Sequence, residues 1–75
     1  MTFSIIRTAF DNIATHISNI DEIRAIVNEL ESKDLRTDAI IEVLQEKSEH
    51  AEVTLRTDIR ILINECRHLE SRMSS

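Results

Sequence analysis

Large apolar residues in the first part of the chain follow one another at steps of three and four. This spacing places them along an a/d heptad seam, the pattern of a helix that packs against other helices. The seam is formed by Phe3, Ile6, Phe10, Ile13, Ile17 and Ile20. It fails at Arg24, where the apolar face moves to Val27 and Leu30. The pattern therefore predicts a first helix over about residues 3–31.

One local signal opposes a continuous first helix. Asn19 and Glu22 have the spacing of a capping box, which begins a helix by satisfying its free N–H groups. A break near Ser18 and Asn19 is therefore the alternative. We favour continuity because the apolar seam runs through these residues without interruption.

A second apolar stripe begins after a polar stretch at about residues 32–36. Within that stretch only Leu35 is large and apolar, and Thr37 and Asp38 suit the start of a helix. The later stripe contains Ile40, Ile41, Leu44, Leu55, Ile59, Leu62, Cys66 and Leu69. The pattern predicts a connection at about 32–36 and a second helix over about 37–72, with a thin middle at Ser48 and Ala51.

The tetrapeptide Leu-Arg-Thr-Asp occurs twice, at 35–38 and at 55–58. A separation of 20 residues turns a helix by about 200°, so the two copies cannot serve one face. Thr57 and Asp58 could cap a third helix. The apolar stripe crosses them, however, and we favour one long second helix.

Composition supports an all-α fold with a single domain over 1–75. The 75 residues include no glycine and no proline, whereas a small sheet protein needs tight turns that use both. So short a chain has a marginal core, and the single cysteine excludes an internal disulfide. We therefore expect an antiparallel helical hairpin of two long helices that associates into a homodimeric four-helix bundle through the two stripes. The alternative is an elongated multistranded coiled coil, since β-branched residues at both seam positions favour more than two strands.

Charged residues form two rows on the predicted second helix. The acidic row is Glu42, Glu46 and Glu49, and the basic row is Arg56, Arg60 and Arg67. The simplest interpretation is a solvated surface that follows the helix dipole. Two further interpretations are a charge code for antiparallel self-pairing and a patch for an anion or an acidic partner. A net charge of −5 makes nucleic acid an unlikely partner.

Candidate chemistry is sparse. Glu65 and His68 have the Glu-x-x-His spacing of bundle metal sites, but they lie beside the apolar stripe, and a surface role is the simpler interpretation. Cys66 lies on the stripe as a small hydrophobe, or as an inter-chain crosslink if two copies meet. We expect no enzyme activity, no cofactor and no membrane segment. The expected protein is a cytoplasmic adaptor, inhibitor or assembly factor that binds itself and another protein; a structural coiled-coil domain and a nucleic-acid regulator using the arginine row are the alternatives.

Overall fold

The described part of the chain forms four α-helices rather than two. The computed structural model describes residues 4–74, with the side-chain surroundings of residues 4–72. Helix α1 spans Ile5–Ile13 and leads into a 3-10 turn at Ala14–His16, α2 spans Ile20–Ser32, α3 spans Thr37–Glu49 and α4 spans Val53–Ser74. The all-helical class is confirmed, and the described residues contain no strand. The prediction of two long helices is wrong, because each of them is divided once.

The first helix is divided at residues 14–19, which we call the α1–α2 joint. Ile17 is extended there, with φ −115° and ψ 153°. One carboxylate oxygen of Asp58 accepts hydrogen bonds from the backbone N–H groups of Ser18 and Asn19, at 3.1 and 2.7 Å, and from the Asn19 side-chain amide at 2.9 Å. The break lies where the capping-box alternative placed it. The Asn19 side chain makes no capping bond to α2, however. The carboxylate that accepts from the joint is that of Asp58, in α4.

The predicted connection at 32–36 agrees with the turn between α2 and α3. Backbone N–H groups of Lys33 and Asp34 donate to the carbonyls of Leu30 and Glu31, which ends α2. Asp34 has φ 51°, the left-handed conformation that glycine usually provides after a helix. The chain therefore does not continue as one helix through this stretch.

The second predicted helix is divided at residues 50–52, the α3–α4 joint. Here the Arg56 guanidinium donates to the carbonyls of Ser48, at 3.0 Å, and Ala51, at 3.2 Å. The thin middle of the stripe thus marks the end of α3. A break near Thr57 is not observed, because Thr57 lies inside α4 and its hydroxyl donates to the Val53 carbonyl.

One core joins all four helices. Helix α4 packs against α3 and α1, and α2 packs against α1. The buried apolar residues are Ile5, Ile6, Ala9, Phe10, Ile13, Ile23, Val27, Leu30, Ile40, Leu44, Ile59, Leu62, Ile63 and Cys66. The longest extent of the molecule is 33 Å, whereas a straight helix over 37–72 would span about 54 Å. The alternative of an elongated multistranded coiled coil is therefore wrong for this chain.

Candidate functional site

The residues predicted to mediate self-association lie mostly inside one chain. Buried in its core are Ile6, Phe10, Ile13, Val27, Leu30, Ile40, Leu44, Ile59, Leu62 and Cys66. Partly buried and packed against that core are Ile17, Ile20, Ile41, Leu55 and Leu69. Phe3 lies outside the described residues. As a contact surface between chains this set stays a prediction, and one that requires the buried side chains to leave the core.

The three arginines of the predicted basic row do not have the same role. Arg56 is partly buried, and its two hydrogen bonds to backbone carbonyls hold the end of α3. Arg60 and Arg67 are exposed on the next turns of α4. The residues are seven positions apart, so they point to the same side, separated by about 10.5 Å along the axis. The patch available to a partner is therefore the pair Arg60 and Arg67.

These two arginines line a groove of about 440 Å³ between α3 and α4. The other lining residues are Gln45, Ser48, Glu49, Ile63 and Asn64. Ile63 is only 5% exposed and forms an apolar floor. The Ser48 hydroxyl donates to the Gln45 carbonyl at 2.7 Å, so it is already used within α3. Guanidinium and amide groups are left to meet a ligand.

The groove carries an excess of positive charge. Three other cations of the chain have acidic partners: Arg7 with Glu31 at 3.1 Å, Arg24 with Asp21 at 3.1 Å, and Lys47 with Glu29 at 3.3 Å. Within residues 4–72, neither Arg60 nor Arg67 forms an ion pair or a hydrogen bond. Two arginines stand against one lining glutamate, Glu49, in a chain whose net charge is −5.

The chemistry of this groove suits carboxylate recognition. A guanidinium binds a carboxylate through two parallel N–H···O bonds, which fixes both distance and direction. The amides of Gln45 and Asn64 add donors and acceptors beside it. The spacing of residues along the chain indicates the arginines but not these amides, because nothing in that pattern shows that the chain folds back at residues 50–52.

A second cavity, of about 510 Å³, lies at the turn between α2 and α3. Its apolar floor includes Ile5, Leu30 and Ile40, and Glu31 lies at its rim. A hydrogen bond from Arg7 lowers the pKa of the Glu31 carboxyl, and a weaker contribution comes from Ser4. That carboxylate is therefore engaged within the chain. We assign no function to this cavity.

The candidate metal-binding pair, Glu65 and His68, has no further potential ligand beside it among the described residues. The Glu65 carboxylate accepts a hydrogen bond from the Asn12 amide at 3.0 Å, which ties α4 to α1, and His68 is exposed. Among the described residues, no group of three or more acidic, histidine or cysteine side chains could hold a metal ion.

Cys66 is enclosed by the core. Burial raises the pKa of its thiol from a usual value of 9.0 to about 11, and the negative charges of Glu65 and Glu70 add to that rise. The nucleophilic thiolate is therefore scarce near neutral pH. Its burial fits the interpretation of Cys66 as a small hydrophobe, and two such thiols cannot meet while the core is closed.

No family model, curated protein or solved structure matches this chain. The helices formed by residues 4–74 include none with the length and hydropathy required of a membrane span.

Proposed function

We propose that this chain is a non-enzymatic protein–protein interaction module that binds carboxylate-bearing polypeptides in the α3–α4 groove. One observation carries the proposal: Arg60 and Arg67 face one groove without an acidic partner among residues 4–72. The protein would act as an adaptor, inhibitor or assembly factor through this surface. A cytoplasmic location belongs to the same proposal and is supported by the single reduced, buried cysteine.

Arg60 and Arg67 are distinguished from the other cations by the groove that they share. Acidic residues outnumber Lys and Arg by 14 to 9, yet Lys33 and Arg36, like Arg60 and Arg67, form no ion pair within residues 4–72. Acidic partners hold Arg7, Arg24 and Lys47, and backbone carbonyls hold Arg56. Uncompensated guanidinium groups that share a groove with amides are a recognition surface, because a partner's carboxylates can form two-point bonds with them.

Nucleic acid fits this groove less well than a polypeptide does. Affinity for a phosphate backbone grows with the number of phosphates that cations neutralise. Arg56 is engaged at the α3–α4 joint, so only two arginines of the row are available for binding. They lie beside Glu49, on a chain whose net charge is −5. The surface therefore favours a few well-placed carboxylates over a continuous polyanion.

A photocrosslinking experiment in the source cell tests the proposal. A photoreactive amino acid replaces Asn64 in the groove, and in a second protein it replaces the exposed Glu22 on α2. We expect a polypeptide adduct at the first position only. Arg60→Glu with Arg67→Glu should reduce its yield about tenfold, the factor equivalent to about 1.4 kcal/mol of binding.

The matched control is Lys33→Glu with Arg36→Glu, which changes the net charge equally at exposed positions outside the groove. It should leave the adduct unchanged. No adduct in the groove, or an adduct that survives reversal of both groove arginines, would overturn the proposed function.

A further inference from the structure

Four residues of α4 line the groove, and their spacing is that of one helical face. They are Arg60, Ile63, Asn64 and Arg67. Positions i, i+3, i+4 and i+7 recur on one side of a helix, and all four residues belong to the uninterrupted helix α4. The two arginines are therefore separated by about 10.5 Å along its axis. The groove presents two cationic anchors at this spacing, with an aliphatic and an amide side chain between them.

The opposite wall of the groove is also a helical face. Gln45, Ser48 and Glu49 of α3 line it at positions i, i+3 and i+4, and α3 packs against α4. A groove between two packed helices, each of which shows it one face, accepts a third helix that lies along it. Ser48 is only 8% exposed, so the exposed arginines of α4 are the side chains that reach furthest toward such a partner.

The spacing of the arginines distinguishes a helical partner from an extended one. Two carboxylates that meet both arginines must lie on one side of the partner, about 10.5 Å apart. In a helix, residues i and i+7 meet both conditions. In a β-strand, side chains on one side recur every two residues, at about 6.8 and 13.6 Å. A polyproline helix, with a recurrence at about 9.3 Å, is the nearest competitor.

We propose that the groove binds a helical segment of its partner polypeptide through two acidic residues seven positions apart. This inference rests on the proposed function and names the class of polypeptide that is bound. In either direction of the bound helix, positions i and i+7 meet the two arginines, and positions i+3 and i+4 lie over Ile63 and Asn64. An aliphatic and an amide residue suit those two positions. The carboxylate of Glu49, which also lines the groove, disfavours a third acid.

Three synthetic peptides that carry a fluorophore test this spacing. The first two are alanine-based, of equal composition and about 20 residues long, because shorter helices are marginal in water. In the first peptide, two glutamates are seven positions apart, with leucine and glutamine at i+3 and i+4. In the second peptide the glutamates are five positions apart, which points them about 140° away from each other. The third peptide is proline-rich and has glutamates three positions apart, on one side of a polyproline helix.

Fluorescence anisotropy with the full chain measures each dissociation constant, and circular dichroism verifies that the first two peptides are equally helical. We expect the first peptide to bind about threefold more tightly than the second, which can use only one anchor. This factor is the tenfold effect of both arginines divided equally between them. Arg67→Ala should remove the preference, because only one anchor remains. Lys33→Glu with Arg36→Glu, outside the groove, should retain it.

Equal dissociation constants for the first two peptides would overturn the inference, as would tighter binding of the proline-rich peptide. In either case, binding that is lost in Arg60→Glu with Arg67→Glu would still support the proposed function. Failure of the first peptide to bind at concentrations up to about 1 mM would also overturn the inference. A polypeptide crosslinked at Asn64 would then still support the proposed function, whereas the absence of any adduct would end both proposals.

Discussion

The two copies of Leu-Arg-Thr-Asp have the same side chains and different tasks. In the first copy, at the start of α3, Asp38 is exposed and accepts a hydrogen bond from the N–H of the next residue, Ala39, at 3.0 Å. In the second copy, in the first turns of α4, Asp58 is 3% exposed and binds backbone groups forty and thirty-nine residues earlier. Arg36 is exposed, whereas Arg56 holds the end of α3.

The difference shows that tertiary placement, more than the tetrapeptide, decides what these residues do. The first copy acts within its own helix, where water can replace each bond that it makes. The second copy contacts both joints. Asp58 supplies an acceptor to the α1–α2 joint, and Arg56 supplies donors to the α3–α4 joint. A buried partner of this kind is costly to remove, because the partly buried backbone groups that it leaves behind lose their hydrogen bonds.

The largest expected effect separates the two aspartates. Asp58→Ala removes the acceptor of two backbone N–H groups in the α1–α2 joint, and we expect a loss of about 3 kcal/mol in the free energy of unfolding. Asp38→Ala should cost about 0.5 kcal/mol, the value of an exposed acid in the first turn of a helix. Urea denaturation followed at 222 nm measures both. Equal losses would contradict the comparison.

The ionisation of the Cys66 thiol tests how completely the core buries this side chain of α4. The raised pKa of its thiol, about 11 against 9.0, means that the unfolded chain ionises first as the pH rises. The thiol's contribution to the free energy of unfolding should therefore be constant below about pH 9, and stability should fall by about 2–3 kcal/mol as the pH rises from about 9 to about 11. Denaturation across this range measures it, and the fall should disappear in Cys66→Ala.

The same thiol reports local opening. Asp58→Ala should speed its modification at pH 8 by a disulfide reagent, and Asp38→Ala should leave the rate nearly unchanged. A rate that is equal in both variants would mean that the α1–α2 joint does not protect this part of α4.

The two arginines give a smaller contrast. Arg56→Ala frees the carbonyls of Ser48 and Ala51, and we expect a loss of about 1–2 kcal/mol in the free energy of unfolding. Arg36→Ala should change it by less than about 0.5 kcal/mol, since an exposed cation at a helix N-terminus gains nothing from the dipole. Thermal denaturation of the two variants gives the comparison. A larger loss for Arg36→Ala would reverse our assignment of Arg56.

The smallest expected effect concerns the turn before the first copy. Asp34→Gly relieves the left-handed conformation at φ 51° and should raise the free energy of unfolding by about 0.5–1 kcal/mol. His50, with φ −103° at the end of α3, provides the matched control. His50→Gly should lower stability by a similar amount because glycine only adds freedom to the unfolded chain. Urea midpoints that move in the same direction for both would contradict this interpretation.

The sequence predicted those parts of the fold that depend on nearby residues. The absence of glycine and proline and the spacing of three and four indicated helices, and the loss of apolar residues at 32–36 indicated the turn that Asp34 completes. The two joints, of which the sequence offered the one near Ser18 and Asn19 only as an alternative, depend on side chains of α4. Asp58 accepts from the backbone N–H groups of Ser18 and Asn19, just before α2, and Arg56 reaches back eight residues to Ser48.

The candidate site was predictable to a similar extent. Periodicity placed Arg60 and Arg67 on one face correctly, because both lie within a single uninterrupted helix. It could not reveal that Arg56 turns away from that row. It also could not show that Gln45 and Asn64 line the same groove, since that depends on the fold-back between α3 and α4.

The position of Asp58 in the sequence also determines the order in which parts of the chain can fold during synthesis. A ribosome builds the seam of Phe10 and Ile13 and the polar backbone at Ser18 and Asn19 well before it adds the carboxylate that organises them. Until α4 emerges, the nascent chain presents an uncovered apolar surface to chaperones and to neighbouring nascent chains. Native folding therefore has to wait for α4, and a ribosome that stalls before residue 58 leaves a product that lacks the acceptor for Ser18 and Asn19.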